Sequence, residues 1–311
     1  MQTFAPSKAP TVPTALNVER RFPLDLRQSD HAIRALYEEA KAGHWIPNTD
    51  LPWDTFDANA FDAGQRSAAA RVWSRRAWIE YTGIAETPAL LIRFCIELER
   101  ESDPKYFLTV RNTEEAWHVE SFWRYAELCG GYLESPENPH WMPLFNRNLY
   151  RDALDASRSL DAHVLTHCMF VDGLESALTT AWLANTREPV AKALLTHCAA
   201  ARERHARFGK LYMKRRAARM SGAEREAAVQ ALVQHLQEVE LAGMHCVGLA
   251  SAIDAGKEVA ENDAVARVGM GSIPAQDEVR VFQHYLARFR SDLEAMNMDL
   301  PLLQHPTLGE V

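Results

Sequence analysis

The chain has no apolar run approaching the ~18 residues of a membrane span, and no signal-peptide stretch follows the first Met. It has no Asn-Gly hairpin turn, few clustered Val, Ile and Thr, and no sustained apolar/polar alternation, so strands are not expected. Paired cysteines are missing as well. Cys95, Cys129, Cys168, Cys198 and Cys246 are odd in number, lack metal-ligand spacing and fall in helical patterns, which predicts reduced, mostly buried thiols. Excess positive charge is absent. A formal charge of −8 argues against general nucleic-acid binding. There is no flavin or ferredoxin motif, so electrons for any redox chemistry would come from a separate reductase or from the substrate. Together these absences predict a cytoplasmic protein that binds neither nucleic acid nor membrane.

What remains is an Ala-rich sequence of 311 residues, 47% hydrophobic, long enough for a sizeable core. It reads as all-α. Residues 1–28 hold four prolines and little periodicity, and predict a flexible arm. Residues 29–311 read as one helical domain, with a bundle core over about 62–220 and C-terminal helices over about 222–296. Asp30 N-caps a first helix that Gly43 ends. An aromatic, proline-containing loop from Gly43 to Trp53 should pack on the bundle. A helix over about 62–81 follows, and Thr87-Pro88 reads as the start of another, or of a kinked continuation. Ser102-Asp103-Pro104 opens a helix that Gly130-Gly131 closes. Further helices cover about 151–185, from Glu188-Pro189 to Met220, from a capping box at Ser221 and Glu224 to about Ala255, and from Pro274 to about Met296. No role is assigned to Glu258–Ser272.

One stretch carries chemistry: Glu114-Glu115-Ala116-Trp117-His118-Val119-Glu120. Glu115 and His118 are at i and i+3, so a carboxylate and an imidazole share a helix face. In helical bundles that spacing presents two ligands of a metal site, with the others on facing helices. A second half of the chain has matching punctuation. Glu86 lies 29 residues before Glu115, and Asp172 lies 30 before Arg202, which is followed by Glu203, Arg204 and His205. Pro104 and Pro189 mark the two turns. His163 and His167, at i and i+4, could also bind metal. Counted as α-helix, His167 is about 140° from Asp172, which favours packing or a surface role. Cys168 and Cys198 read as buried, inert thiols.

Glu86, the Glu114–Glu120 stretch, Val171-Asp172-Gly173-Leu174 and Arg204-His205-Ala206-Arg207-Phe208-Gly209 together resemble the ferritin-like diiron carboxylate proteins. The opening from Ala40 through Trp45, Asp50 and Trp53 resembles ribonucleotide reductase small subunits and their oxidase relatives. The resemblance covers about residues 35–215 and implies a ferritin-like four-helix bundle with additional flanking helices. It implies Glu86, Glu115, His118, Asp172 and His205 as metal ligands. Arg202 departs from it, standing where the family has its fourth carboxylate, and Ala201 replaces the acid that braces a ligand histidine. A guanidinium 4 Å from a divalent ion would oppose it by roughly twice 4 kcal/mol at an effective dielectric near 20. Three readings stay open. Two metals bind with an altered set, Arg202 turning outward and Glu175 helping; one binds, with Arg202 and Asp172 paired in the second place; or none binds.

The cofactor implied is iron, two ions or one, with dioxygen as co-substrate. The function implied is a non-heme iron oxidase or monooxygenase tailoring a small organic molecule, by hydroxylation, desaturation, cleavage or N-oxidation. The competing function is a ligand- or partner-binding scaffold with a mononuclear or lost site. Radical storage is disfavoured, because the position one turn after His118 is Phe122. Iron storage is disfavoured by chain length. Trp117, Phe122 and Phe170 are candidate pocket residues. Arg202–Arg219 holds eight basic residues and one acid, either a solvated face or a dock for an acidic carrier protein or a reductase. A homodimer is a candidate assembly.

Overall fold

The computed structural model describes residues 30–97, 102–146, 153–155 and 157–311. The N-terminal arm expected over 1–28 lies outside them. Ten α-helices are described, with short 3₁₀ turns and a two-residue C-terminal hairpin, Gln304–His305 with Gly309–Glu310. In chain order the helices are α1 His31–Ala42, α2 Ala63–Glu97, α3 Ser102–Cys129, α4 Met142–Phe145, α5 Leu160–His163, α6 Asp172–Asn185, α7 Pro189–Ala217, α8 Gly222–His235, α9 Gly256–Val268 and α10 Ala275–Glu294. A π-helical segment, Val164–Val171, joins α5 to α6 without a break. No described helix is long and apolar enough to cross a membrane.

The bundle consists of α2 packed on α3, and of α5–π–α6 packed on α7, with α3 also against α7. The termini follow local chemistry. The Asp30 carboxylate accepts from the Ala32 and Ile33 amides, Glu188 does the same for Val190 and Ala191 ahead of Pro189, and Ser221 with Glu224 closes a capping box. Gly130 and Gly131 end α3 at φ of 134° and 129°, values that side-chain-bearing residues avoid. Around the bundle, α9 covers α2 and α10 covers α6. The aromatic loop packs as expected: Trp45 is buried and stacks on His197, and Trp53 is buried with its indole N–H donating to the Pro47 carbonyl.

Of the two readings of Thr87-Pro88 the continuation holds: α2 runs through Pro88 and no helix starts there. The Thr87 hydroxyl is used instead on Glu115, 3.0 Å away. The helix from Ser221 stops at His235, runs through a π-turn to Glu240 and ends near Gly243, whose φ is 98°. Glu258–Ser272, left without a role, is largely α9. The cysteines are free, and all but Cys95 are buried.

The π segment is built by side chains remote in sequence. The Asp172 amide bonds the His167 carbonyl, five residues back. A wider turn disturbs the usual i−4 bonding, and the Tyr285 hydroxyl lies 2.9 and 3.0 Å from the Met169 and Phe170 carbonyls, where it donates. Gly173 makes room for it: a β-carbon there would sit 2.0 Å from the Tyr285 hydroxyl. On the opposite contact Gly209 lets α7 approach, since its β-carbon would sit 1.9 Å from the Cys168 carbonyl oxygen.

Candidate metal centre

The centre is assembled from the buried faces of α2, α3, π–α6 and α7. On α3, Glu115 and His118 are both buried. The His118 Nδ1 lies 2.7 Å from Glu80 Oε1 on α2. Gly83, between Glu80 and Glu86, faces Glu115; a β-carbon there would lie 2.8 Å from the carboxylate. The missing side chain leaves that carboxylate its place. On α7, His205 Nε2 lies 2.9 Å from Glu114 Oε2, and Arg204 bonds the other Glu114 oxygen. Glu114 is thus a brace for the histidine of the opposite helix.

Two guanidinium groups enter the same space. Arg111 donates to Asp172 Oδ1 at 2.8 Å and lies 3.2 Å from Glu115 Oε1. Arg202 is buried, bonded to Glu80, 2.6 Å from Thr179 Oγ1 and 3.6 Å from Glu175 Oε2. It neither turns outward nor pairs with Asp172. Asp172 takes Arg111 instead, whose guanidinium reaches it from α3.

Glu86 lines the same cavity as Glu115 but sits at another level of α2 from Glu80. It lies six residues beyond Glu80, about 9 Å along the axis. Its Oε1 is 3.4 Å from both His163 Nε2 and His167 Nδ1. The π-turn explains why His167 faces inward with Asp172. An i→i+5 turn rotates less per residue than an α-turn, so His167 and Asp172 come close to one face. Glu80, Glu86, Glu115, His167, Asp172 and His205 all border one cavity of about 30 Å³, room for about one water.

The electrostatics are unbalanced. Glu80, Glu86, Glu114, Glu115, Asp172 and Glu175 face three guanidinium groups, those of Arg111, Arg202 and Arg204. Protons supply the missing charge. Burial, with Arg111 opposing it, pushes Glu115 up to about 8 and Asp172 up to about 7. Burial also works against the His118 imidazolium, but Cys198 and Glu80 outweigh it and raise His118 to about 10. Burial lowers His205 to about 4, so it is a neutral imidazole. Glu115 Oε2 and Asp172 Oδ2 are buried without a hydrogen-bond partner. Glu115 Oε2 and the unpaired His118 Nε2 are donors that a divalent cation could use, while both Glu80 oxygens are already taken, by His118 and by Arg202. The Asp172 end is already engaged by Arg111.

The other candidates have different surroundings. Glu175 lies 3.2 Å from His245, which lies 2.7 Å from Glu240. Phe122 stacks on His118 and lies under Arg202. Phe170 packs on Tyr285 and Phe289, and Trp117 on Trp45. None of these three aromatics lines the central cavity or a second one of about 80 Å³. That second cavity is walled by Arg75, Trp78, Trp141 and Trp182 and reaches Arg202 and His245. The basic run on α7 is largely consumed internally: Arg207 meets Glu39, Lys210 meets Asp292, Arg215 meets Asp30 and Arg216 meets Asp161.

Sequence reasoning missed Glu80, Arg111 and the inward face of His163 and His167. A signal for the first existed. Glu80–His118, Gly83–Glu115 and Thr87–Arg111 are all centred on position 99, between α2 and α3. Reflecting His118 through that position reaches Glu80, not Glu86.

No family model and no curated protein matches the chain. Solved structures do. An R2-like ligand-binding oxidase variant with an aerobically reconstituted Mn/Fe cofactor superposes with a TM-score of 0.66 at 16% identity, over 85% of this chain and 94% of that one. The same kind of oxidase after photoconversion gives 0.65 at 17%, over 85% and 93%. A variant with an Fe/Fe cofactor gives 0.63 at 19%, over 84% and 93%. The chain therefore has the ferritin-like helical fold of the R2-like ligand-binding oxidases.

Proposed function

We propose that this chain is a metal-dependent oxidase or oxygenase that uses dioxygen on a small organic substrate. The observation that carries the reading is that Glu80, Glu115, Asp172 and His205 line one buried cavity, with His118 bonded to Glu80 behind it. Similarity in fold to oxidases solved with Mn/Fe and Fe/Fe cofactors supports it. Iron or manganese held there would supply dioxygen activation and one-electron chemistry. The chain's own residues do the rest. Glu80, Glu115 and His118 would hold the metal. Thr87 orients Glu115, and Glu114 orients His205. The cavity walled by Trp78, Trp141 and Trp182 would take the substrate, and Ile79 and Glu175, which line both cavities, form the wall between the two. The buried aromatic shell around His118 keeps bulk water out.

A specific observation favours a second reading. Arg111 and Arg202 neutralise carboxylates that a cofactor would otherwise need to balance, as expected of a scaffold that has given up metal. The deciding experiment is to load the protein anaerobically with ferrous iron and mix it rapidly with oxygenated buffer. The oxidase reading expects an oxygen-dependent optical change that Glu115→Ala and His118→Ala abolish. No oxygen-dependent change in the wild type, or an undiminished one in both variants, overturns it.

A further inference from the structure

We propose that Glu86, His163 and His167 form a separate divalent-cation site that shares no ligand with Glu80, Glu115 and His118. Among the described residues this is the group of three ligand-bearing side chains whose donor atoms all lie within 4.8 Å of one another. All three are buried.

The distances decide between a salt bridge and a metal site. Glu86 Oε1 is 3.4 Å from His163 Nε2 and 3.4 Å from His167 Nδ1. Nitrogen–oxygen hydrogen bonds run at about 2.7–3.2 Å. Consistently, Glu86 Oε1 and His163 Nε2 make no hydrogen bond although both are buried. Leaving such atoms unpaired costs about 1–3 kcal/mol each. Two donors each about 2.0–2.1 Å from one tetrahedral ion are about 3.4 Å apart. The spacing is too long for the pair to satisfy itself and right for a shared cation.

The backbone holds this arrangement in place. His163 and His167 stack with ring centroids 4.3 Å apart, at the start of the π segment that Tyr285 and Gly173 maintain. His235 sits edge-on to His167, its own Nε2 3.0 Å from Glu240, so it buttresses the ring and offers the site no nitrogen. Two imidazoles and one carboxylate select a borderline divalent ion, Fe²⁺, Mn²⁺, Co²⁺ or Zn²⁺, over Mg²⁺ or Ca²⁺.

The test is a titration of the metal-free full chain with Co²⁺ alone, followed by visible d–d absorption and by cobalt retained after desalting. The site predicts that His163→Ala/His167→Ala loses one cobalt equivalent and its bands, and that Glu86→Gln, nearly isosteric, weakens binding at least tenfold. It also predicts that Glu115→Ala leaves this equivalent in place. Circular dichroism establishes that the variants are folded. If the histidine double variant and Glu86→Gln bind as much cobalt as the wild type, with the same spectrum, the site does not exist. If only Glu115→Ala loses cobalt, the central site alone binds metal, and this inference fails while the proposed function stands.

Discussion

Arg111→Met, studied in chelator without metal, probes the charge balance of the centre directly. The guanidinium pairs with Asp172 at 2.8 Å and lies 3.2 Å from Glu115, all three side chains being buried. Breaking a buried pair by removing one partner costs about 3–5 kcal/mol. The chain has 311 residues, and at ~2.1 cal/mol/K per residue that loss lowers the melting temperature by roughly 5–8 °C. The pH dependence follows from the carboxyl groups. Asp172 is already pushed up to about 7 and Glu115 to about 8 by burial, with Arg111 opposing. Without Arg111 both rise further. An acid raised above its unfolded value costs stability as pH climbs from that value toward the folded one. At pH 5 both groups carry protons in either protein, so Arg111 has little to balance and the variant melts near the wild type. At pH 8 the deficit has opened, and it is complete only above the variant's higher values. Differential scanning calorimetry at the two pH values measures it. A deficit under about 1 kcal/mol at pH 8, or an equal deficit at both pH values, would refute the ion-pair account.

Other expectations follow from single contacts. Gly209→Ala places a β-carbon 1.9 Å from the Cys168 carbonyl; helices α7 and π–α6 must part, and a loss of about 3 kcal/mol is expected in denaturant titration. Gly222→Ala, with open space around it, is the neutral control. Tyr285→Phe leaves the Met169 and Phe170 carbonyls without their hydroxyl donor and should cost about 1–3 kcal/mol by the same assay. His245→Gln shows the opposite pH trend to Arg111→Met. Burial opposes the His245 imidazolium, but Glu240 and Glu175 outweigh it and raise it to about 10. Its contribution is complete below the unfolded value near 6.5 and is lost as pH rises to 10. The variant is therefore expected to be less stable by a few kcal/mol at pH 6 and to match the wild type at pH 10.

Where the sequence could be read and where it could not divides along one physical line. Signals confined to a few neighbouring residues were legible: the Asp30 and Glu188 caps, the Ser221–Glu224 box, the Gly130-Gly131 stop and the Glu115–His118 face all occur as expected. Signals created by remote partners were not. Thr87 serves Glu115 and not a cap, a contact made only once α3 is packed on α2. The π segment is bonded by Tyr285, more than a hundred residues downstream, and its changed rotation brings His167 and Asp172 to one face. Arg111 reads as one more helical arginine until Asp172 is brought opposite it. Arg202 did signal a departure, but its partners, Glu80 and Glu175, could not be chosen without knowing which residues share a level of the bundle.

The central claim is that Glu80, Glu115 and His118 hold a catalytic metal. Elemental analysis measures it most directly, on wild type and Glu115→Ala purified anaerobically and reconstituted with ferrous iron. The account predicts that the wild type retains iron and that Glu115→Ala loses one equivalent per chain with its helical content unchanged. A folded, iron-free wild type, or a Glu115→Ala chain carrying undiminished iron, would contradict it.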